Sequence, residues 1–339
     1  MNWLVDLLIL VALAAGLVVF VVALLSPLEA LGWWAGWSRQ ELEPDEPIAG
    51  LAGPDQPAIP AADYYVVYLT GIGGFSGQFL GRREVGFLER LRARLPGAVI
   101  VSDVFPFSVT NNPLNGNRIL ARLWQWIQTR RLKNPHNVLK NLISIRNILQ
   151  VAVSADPRYG PIYNVGVARE IVRSLARRGY PAGSGQPITL IGVSGGGQIA
   201  LGAARYLNLA LHAPIRIISV AGVLSDDRGI NYVEHVYHLN GSRDRVPRLG
   251  AILYPGRWPI FRRSSWNLAQ AEGRITVIPT GPMTHMGPEE YFSRSAFLPS
   301  GQSYADHTAD IVAHLIADSP HQVQPVPRQS GETTDLPNA

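Results

Sequence analysis

The stretch Pro187-Ile-Thr-Leu-Ile-Gly-Val-Ser-Gly-Gly-Gly-Gln-Ile-Ala-Leu-Gly-Ala-Ala204 determines the predicted fold. Its first part is a short apolar run that predicts a buried strand, and its second part is a run of small residues that predicts a helix. Ser194 lies between the two, flanked by glycines. Glycine is needed where a strand turns directly into a helix, because a Cβ there would strike neighbouring backbone. We therefore expect Ser194 at the tip of a tight turn, facing the N–H groups of the helix N-terminus.

Predicted strands and helices alternate along most of the chain. Strands are expected at Tyr64–Thr70, Ala98–Asp103, Ile188–Val193, Ile215–Val223, Glu234–Asn240 and Ile275–Thr280. Helical periodicity is found at Arg82–Leu95, Val165–Arg178, Gly195–Leu209 and Tyr304–Ala317. This alternation predicts the α/β class, with a mostly parallel sheet and helices on both of its faces.

Two further residues complete a candidate catalytic triad with Ser194. Asp244 directly follows the predicted strand Glu234–Asn240, and His285 directly follows Ile275–Thr280. A serine hydroxyl needs a base to take its proton and a third group to orient that base. We therefore predict Ser194 as nucleophile, His285 as base and Asp244 as the orienting acid.

Other acids and histidines compete for these roles. The alternatives are Asp226, Asp227, His307, His235 and His238. The two aspartates follow an earlier strand. His307 is predicted in the first turn of the last helix, and the other two histidines within a strand. Each alternative is less well placed for catalysis.

The order Ser194, Asp244, His285, each after a successive strand, resembles the α/β-hydrolase superfamily. The resemblance extends over Tyr64–Ala317 and includes a glycine-rich loop after the first strand, in Val67-Tyr-Leu-Thr-Gly-Ile-Gly-Gly-Phe-Ser76. It implies an oxyanion hole formed by the N–H of Gly195 and that of Ile72 or Gly73. A dinucleotide-binding loop is the alternative interpretation of these glycines, but the G-x-G-x-x-G pattern is incomplete.

The N-terminal region predicts a membrane anchor. Leu7–Leu25 has no charged residue and is long enough to cross a hydrocarbon core of about 30 Å as a helix. The alternative is a cleaved signal peptide, but Lys and Arg are absent from its start and no A-x-A site follows. We expect an anchor and interfacial segment at 1–37, a linker at 38–62, the hydrolase domain at 63–317 and a disordered tail at 318–339. A single-pass membrane protein is thus predicted, and the side of the membrane is left open.

A basic insert is predicted at about 104–160. Between Asp103 and Asp156 the chain has no acid, and it carries seven basic residues: Arg118, Arg122, Arg130, Arg131, Lys133, Lys140 and Arg146. Apolar residues recur at helical spacing, which indicates two basic amphipathic helices. Such helices are typical of segments that lie on anionic membranes. The alternative is an ordinary cap, or lid, whose charges face solvent.

The whole-chain composition narrows the function further. The chain of 339 residues has no cysteine, which excludes disulfides and thiolate chemistry. No metal or cofactor is expected, and the basic charge is interpreted as membrane contact rather than nucleic-acid binding. We predict a membrane-anchored serine hydrolase that cleaves an ester or thioester, acyl or lipid-like. A non-hydrolytic lipid- or partner-binding protein and an acyltransferase with the same triad are the alternatives.

Overall fold

The protein forms a single six-stranded sheet, seen in a computed structural model that describes residues 17, 62–74, 76, 80–108 and 139–318. The strands are β1 (Tyr64–Leu69), β2 (Ala98–Val101), β3 (Ile188–Val193), β4 (Ile215–Val220), β5 (His235–Asn240) and β6 (Ile275–Pro279). Every neighbouring pair is parallel, in the order β2-β1-β3-β4-β5-β6. The predicted α/β class with a parallel sheet is therefore confirmed, and all six predicted strands are present.

Seven α-helices accompany the sheet in the described part of the chain. They are α1 (Arg82–Arg94), α2 (Leu139–Ala155), α3 (Gly160–Ala176), α4 (Gly195–Leu211), α5 (Leu249–Leu253), α6 (Ser265–Ala271) and α7 (Tyr304–Ala317). One hydrophobic core contains side chains of α2, α3, α4 and α6 on one sheet face. A second core contains those of α1 and α7 on the other face. Helices thus cover both faces, as parallel strands that are apolar throughout require.

The strand order places the candidate site. The chain passes from β1 outward to β2 and then returns to β3 on the other side of β1. The carboxyl ends of β1 and β3 therefore flank the point where the strand order reverses, which is where open α/β sheets bind ligands. The glycine-rich loop follows β1 and Ser194 follows β3, so both lie at this point.

The small residues of α4 let it lie close to its neighbours. A Cβ at Gly202 would come within 2.6 Å of the side-chain carbonyl carbon of Asn164 in α3. That amide is held in place by Ser154 of α2, whose Oγ lies 2.7 Å from its Oδ1. Close packing of α2, α3 and α4 on one face holds the helix that begins directly after Ser194.

The second predicted helix of the basic insert packs into the core and buries one of its arginines. It is α2, whose Ile143 and Val151 lie in the core shared with α4. Arg146 is completely buried and donates to the carbonyl oxygen of Phe107 (2.9 Å) and to Oδ1 of Asn147 (3.1 Å). The prediction that Arg146 belongs to a charged outer face is therefore wrong. Helical periodicity located the helix, but it cannot show that a guanidinium turns inward to bind carbonyl groups.

The predicted terminal segments lie almost entirely outside the described residues. This holds for the anchor at 1–37, the linker at 38–62, the tail at 318–339 and the first helix of the insert. Within 62–108 and 139–318, apart from the gaps noted above, no helix has the length and apolar character to cross a bilayer.

Candidate active site

Ser194 occupies a strained turn between β3 and α4. Its backbone angles are φ 50° and ψ −121°, a conformation that L-residues rarely adopt. The flanking glycines are required by contact: a Cβ at Gly192 would lie 2.5 Å from Cα of Gly197, and one at Gly196 would lie 2.5 Å from the carbonyl oxygen of Thr70. The turn is held by a hydrogen bond to the neighbouring strand β4, since the Ser194 N–H donates to Val220 O at 2.9 Å. A strained residue held in this way is characteristic of functional sites.

The Ser194 hydroxyl contacts the imidazole of His285. Ser194 Oγ lies 3.0 Å from Nε2 of His285, although the two residues are 91 positions apart in the chain. On the far side of the ring, Nδ1 of His285 lies 2.9 Å from Oδ2 of Asp244. With its proton on Nδ1, the ring donates to the carboxylate and its Nε2 accepts from the serine O–H. The structure thus brings all three predicted residues into one hydrogen-bonded chain.

Asp244 is buried and its carboxylate is fully engaged. Oδ1 accepts from the backbone N–H of Val246 at 2.9 Å, and Oδ2 accepts from the hydroxyl of Tyr291 at 3.0 Å as well as from His285. These donors hold the carboxylate in place beside the imidazole.

Tyr291 is a site residue that the sequence analysis missed. Its hydroxyl donates to Asp244 and accepts from the N–H of Gly241 at 2.7 Å. Burial, with the nearby Asp244 carboxylate adding to it, raises the pKa of Tyr291, so the phenol stays protonated and remains a donor. Tyr291 lies in a loop after β6 with no motif around it, and no sequence signal marks it.

The glycine-rich loop after β1 forms a tight turn beside Ser194. The N–H of Gly74 donates to the carbonyl oxygen of Gly71 at 2.8 Å. An ideal Cβ at Gly71 would lie 3.5 Å from Cβ of Ser194, so the loop passes directly against the serine. The Ile72 side chain lies over Gly195, where a Cβ would come within 2.7 Å of its Cγ2. Of the predicted oxyanion donors, Gly195 and Ile72 therefore lie beside the nucleophile, and Gly73 is the next residue of the same turn.

Asn147 of α2 holds this loop from behind. Its Nδ2 donates to the carbonyl oxygen of Ile72 at 2.7 Å and to that of Gly74 at 2.9 Å. Arg146 donates to Oδ1 of the same amide, which fixes which end of the amide faces the loop. In a trans peptide the N–H points opposite to the C=O, so holding the Ile72 carbonyl also orients the N–H of Gly73. Asn147 is a second site residue missed at the sequence level, because it lies within the insert.

The competing residues lie elsewhere. Asp227 accepts from the N–H of Gly229 at 2.7 Å and caps a short 3₁₀ helix, while Asp226 lies against Gly256. Nε2 of His235 lies 2.8 Å from Thr276 Oγ1, and Nδ1 of His307 lies 3.3 Å from Gln302 Oε1. None of these contacts involves Ser194.

His238 forms a second serine–histidine contact, behind the site. Its Nδ1 lies 3.1 Å from Oγ of Ser219 on the neighbouring strand. Burial, to which the nearby Arg257 adds, lowers the pKa of His238 to about 4, so the ring is neutral at physiological pH. Ser219 is completely buried within β4, which leaves no room for a substrate.

The fold and the site define a parallel α/β protein with a hydrogen-bonded Ser-His-Asp chain at the carboxyl edge of its sheet. A backbone turn and the N-terminus of a 17-residue helix lie beside the serine. Comparison of the chain with protein families, curated proteins and solved structures finds no match.

Proposed function

We propose that this protein is a serine hydrolase of the α/β-hydrolase type that cleaves an ester or thioester of an acyl or lipid-like compound. One observation carries the proposal: Ser194, His285 and Asp244 form a continuous hydrogen-bonded chain with contacts of 3.0 and 2.9 Å. Ser194, at the end of this hydrogen-bonded chain, has a strained backbone and lies against the glycine-rich loop. A structural serine needs neither the strain nor the base.

The chemistry follows from the geometry. His285 Nε2 takes the proton of Ser194 as Oγ attacks the substrate carbonyl, and an acyl-enzyme forms as the alcohol or thiol leaves with that proton. The Asp244 carboxylate stabilises the imidazolium that exists between these transfers. Water then attacks the acyl-enzyme, with His285 again acting as base, and the acid is released.

The oxyanion is assigned to backbone donors. Gly195 is the residue after the nucleophile, and its N–H belongs to the first turn of α4, where the helix dipole favours negative charge. The turn at Gly71–Gly74 supplies the second donor, from Ile72 or Gly73. Loss of one such donor typically costs about 10²–10³ in kcat. Because Asn147 orients this turn, we expect its removal to lower kcat.

The substrate class and the location rest on the apolar character of the chain near the site and at its N-terminus. Met286, the residue after His285, is highly exposed. The uncharged run Leu7–Leu25 is proposed as a single-pass anchor. An enzyme held at a bilayer meets acyl substrates there, which favours a lipid-like ester over a soluble one.

The proposal is tested with a fluorophosphonate probe, which reacts only with an activated serine. Full-length protein in detergent is labelled beside the Ser194→Ala, His285→Ala and Asp244→Asn variants. We expect wild type to label, the first two variants not to label, and the third to label slowly. Ser219→Ala is the matched control, because it removes a second serine that contacts a histidine, and it should label as wild type does.

Absence of labelling in folded wild-type protein, or equal labelling of Ser194→Ala, would refute the proposal. The non-hydrolytic binding protein would then be the better account. Product analysis with added alcohols separates hydrolysis from acyl transfer, because a transferase yields a new ester where a hydrolase yields the free acid.

A further inference from the structure

An exposed apolar surface lies beside the active site, on the segment after Asp244. Six large apolar side chains, which we call the docking face, point outward from it: Leu249, Ile252, Leu253, Trp258, Ile260 and Phe261. Ile260 is 76% exposed, Ile252 64% and Leu253 61%. Exposed apolar side chains grouped in this way are costly in water and indicate a binding surface.

Polar contacts from beneath fix the loop that carries Trp258, Ile260 and Phe261, while Leu249, Ile252 and Leu253 lie on α5. Nδ2 of Asn267 in α6 donates to three carbonyl oxygens of this loop, those of Gly256, Trp258 and Phe261, at 2.9 to 3.3 Å. The indole N–H of Trp258 donates to Ala251 O at 2.8 Å. The backbone is therefore held in place without burial of its apolar side chains.

The guanidinium group of Arg257 adds a further support beneath the docking face. It stacks 3.7 Å from the ring centroid of Trp266 and donates to the carbonyl oxygen of Leu224 at 2.8 Å. These contacts tie the loop to α6 and to the segment after β4. The docking face is thus presented by a rigid support, as a preformed binding surface requires.

The segment that carries the docking face is basic. From residue 245 to residue 271 the chain has no Asp or Glu and five arginines: Arg245, Arg248, Arg257, Arg262 and Arg263. All except Arg257 are exposed. Exposed apolar and aromatic side chains next to arginines are the composition that binds an anionic bilayer, with apolar groups entering the interface and cations meeting the headgroups.

An open depression of about 700 Å³ adjoins the docking face. Ile260 and Phe261 form apolar parts of its wall, and Arg262 and Arg263 also line it, together with Asp226. Two guanidinium groups against one carboxylate leave the depression positive. Its apolar wall and basic rim match the acyl chain and the phosphate of a phospholipid.

The docking face lies at the same edge of the sheet as Ser194. Gly250 of α5 packs against the loop after β4, where a Cβ would come within 2.6 Å of Leu224 O. Gly222 in that loop lies close to the carbonyl oxygen of Ser194, at 3.4 Å from its ideal Cβ. A bilayer on the docking face would therefore lie along the carboxyl edge of the sheet, the edge at which Ser194 lies.

We propose that the docking face binds the surface of an anionic lipid bilayer and holds the carboxyl edge of the sheet against it. This interaction is separate from the predicted N-terminal anchor. It does not depend on the chemistry at Ser194, since it concerns the position of the domain and not turnover.

The chain has no cysteine, so a single introduced cysteine can report on the surface of the full-length protein. Ile260→Cys and Ile252→Cys are labelled with an environment-sensitive fluorophore and reconstituted into vesicles with or without phosphatidylglycerol. Leu209→Cys is the matched control, because Leu209 is an apolar side chain 52% exposed near the end of α4. It lies about 22 Å along the helix from Ser194, at the opposite edge of the sheet.

We expect the labels at 260 and 252 to shift to the blue and to be quenched by nitroxide lipids in anionic vesicles, with no change at 209.

Each arginine near an anionic surface contributes about fivefold to binding, so Arg262→Gln with Arg263→Gln lowers the ratio of docked to undocked protein about 30-fold. The control pair Arg82→Gln and Arg92→Gln, on exposed positions of α1, leaves the ratio unchanged.

Several results would overturn the inference. No lipid-dependent shift at 260 and 252, or an equal shift at 209, would show that the docking face does not bind lipid. A blue shift in detergent that grows with protein concentration would show that the docking face binds a second copy of the protein. A concentration-independent shift without quenching would assign it to another segment of the chain. Fluorophosphonate labelling in detergent is unaffected by the arginine changes, so failure of docking is distinguishable from failure of the proposed hydrolase.

Discussion

The strained backbone of Ser194 makes a prediction that separates catalysis from stability. Ser194→Ala and Ser194→Gly both remove the hydroxyl and its 3.0 Å contact with His285. They differ in that alanine keeps a Cβ at φ 50° and ψ −121°, whereas glycine adopts this conformation freely. Both variants should be inactive, and the glycine variant should be the more stable of the two.

The difference in stability between the two variants follows from two opposing contributions. A non-glycine residue in a sparsely populated backbone region costs about 1–3 kcal/mol in the folded state. Glycine also gains conformational freedom in the unfolded chain, which offsets about 0.4–1 kcal/mol of that advantage. Packing changes little, because the Ser194 Cβ faces Gly71, which has no side chain to pack against it. We expect the free energy of unfolding of Ser194→Gly to exceed that of Ser194→Ala by about 1 kcal/mol. This corresponds to about 2–4 °C in Tm for a domain of this size.

The assay is denaturant unfolding of both full-length variants in the same detergent, followed by circular dichroism and tryptophan fluorescence. A free energy of unfolding for Ser194→Gly equal to or below that of Ser194→Ala would refute the argument. It would mean that the turn relaxes once the side chain is changed, and that the surrounding structure does not impose the strain.

Three further predictions follow from the contacts around the site. Tyr291→Phe removes one donor from Asp244 and should lower kcat about 10-fold, about 1.4 kcal/mol, with little change in KM; an unchanged kcat would show that the hydroxyl does not position the carboxylate. Asn147→Ala releases the glycine-rich loop and should lower kcat about 10- to 100-fold, less than an outright loss of an oxyanion donor. A wild-type rate of fluorophosphonate labelling in that variant would contradict it. His238 has a pKa near 4 when folded and an ordinary value of 6.5, so unfolding takes up a proton between these values and stability falls as the pH drops through this window. Stability should fall by about 2 kcal/mol between pH 7 and pH 5, and His238→Gln should remove this part of the pH dependence.

The sequence predicted the parts of the site that follow from strand order. Ser194, Asp244 and His285 each come shortly after a buried apolar run, and parallel strands bring their carboxyl ends to one edge of the sheet. The position of a residue that follows a strand end can therefore be inferred from the order of the strands alone. The glycines around Ser194 could be interpreted for a related reason, since only a tight turn requires them.

The parts that were missed depend on contacts between distant segments. Tyr291 reaches Asp244 from 47 positions away, and Asn147 reaches Ile72 from 75. Neither lies at a strand end or in a pattern with a known spacing. Arg146 was misread for the same reason, because periodicity identifies a helix but not which of its polar groups find partners inside the protein. The docking face was also missed, since its apolar residues lie in a loop and a short helix without clear periodicity.

The central claim is that Ser194 is an activated nucleophile, and mass spectrometry of the fluorophosphonate-treated protein tests it most directly. Trypsin is expected to release Ser194 on the peptide from Gly179 to Arg205, which also contains Ser184 as an internal control. The account predicts one adduct per chain, with fragment ions that place it on Ser194 and none on Ser184. An adduct on any other residue, or no adduct on folded protein, would contradict it.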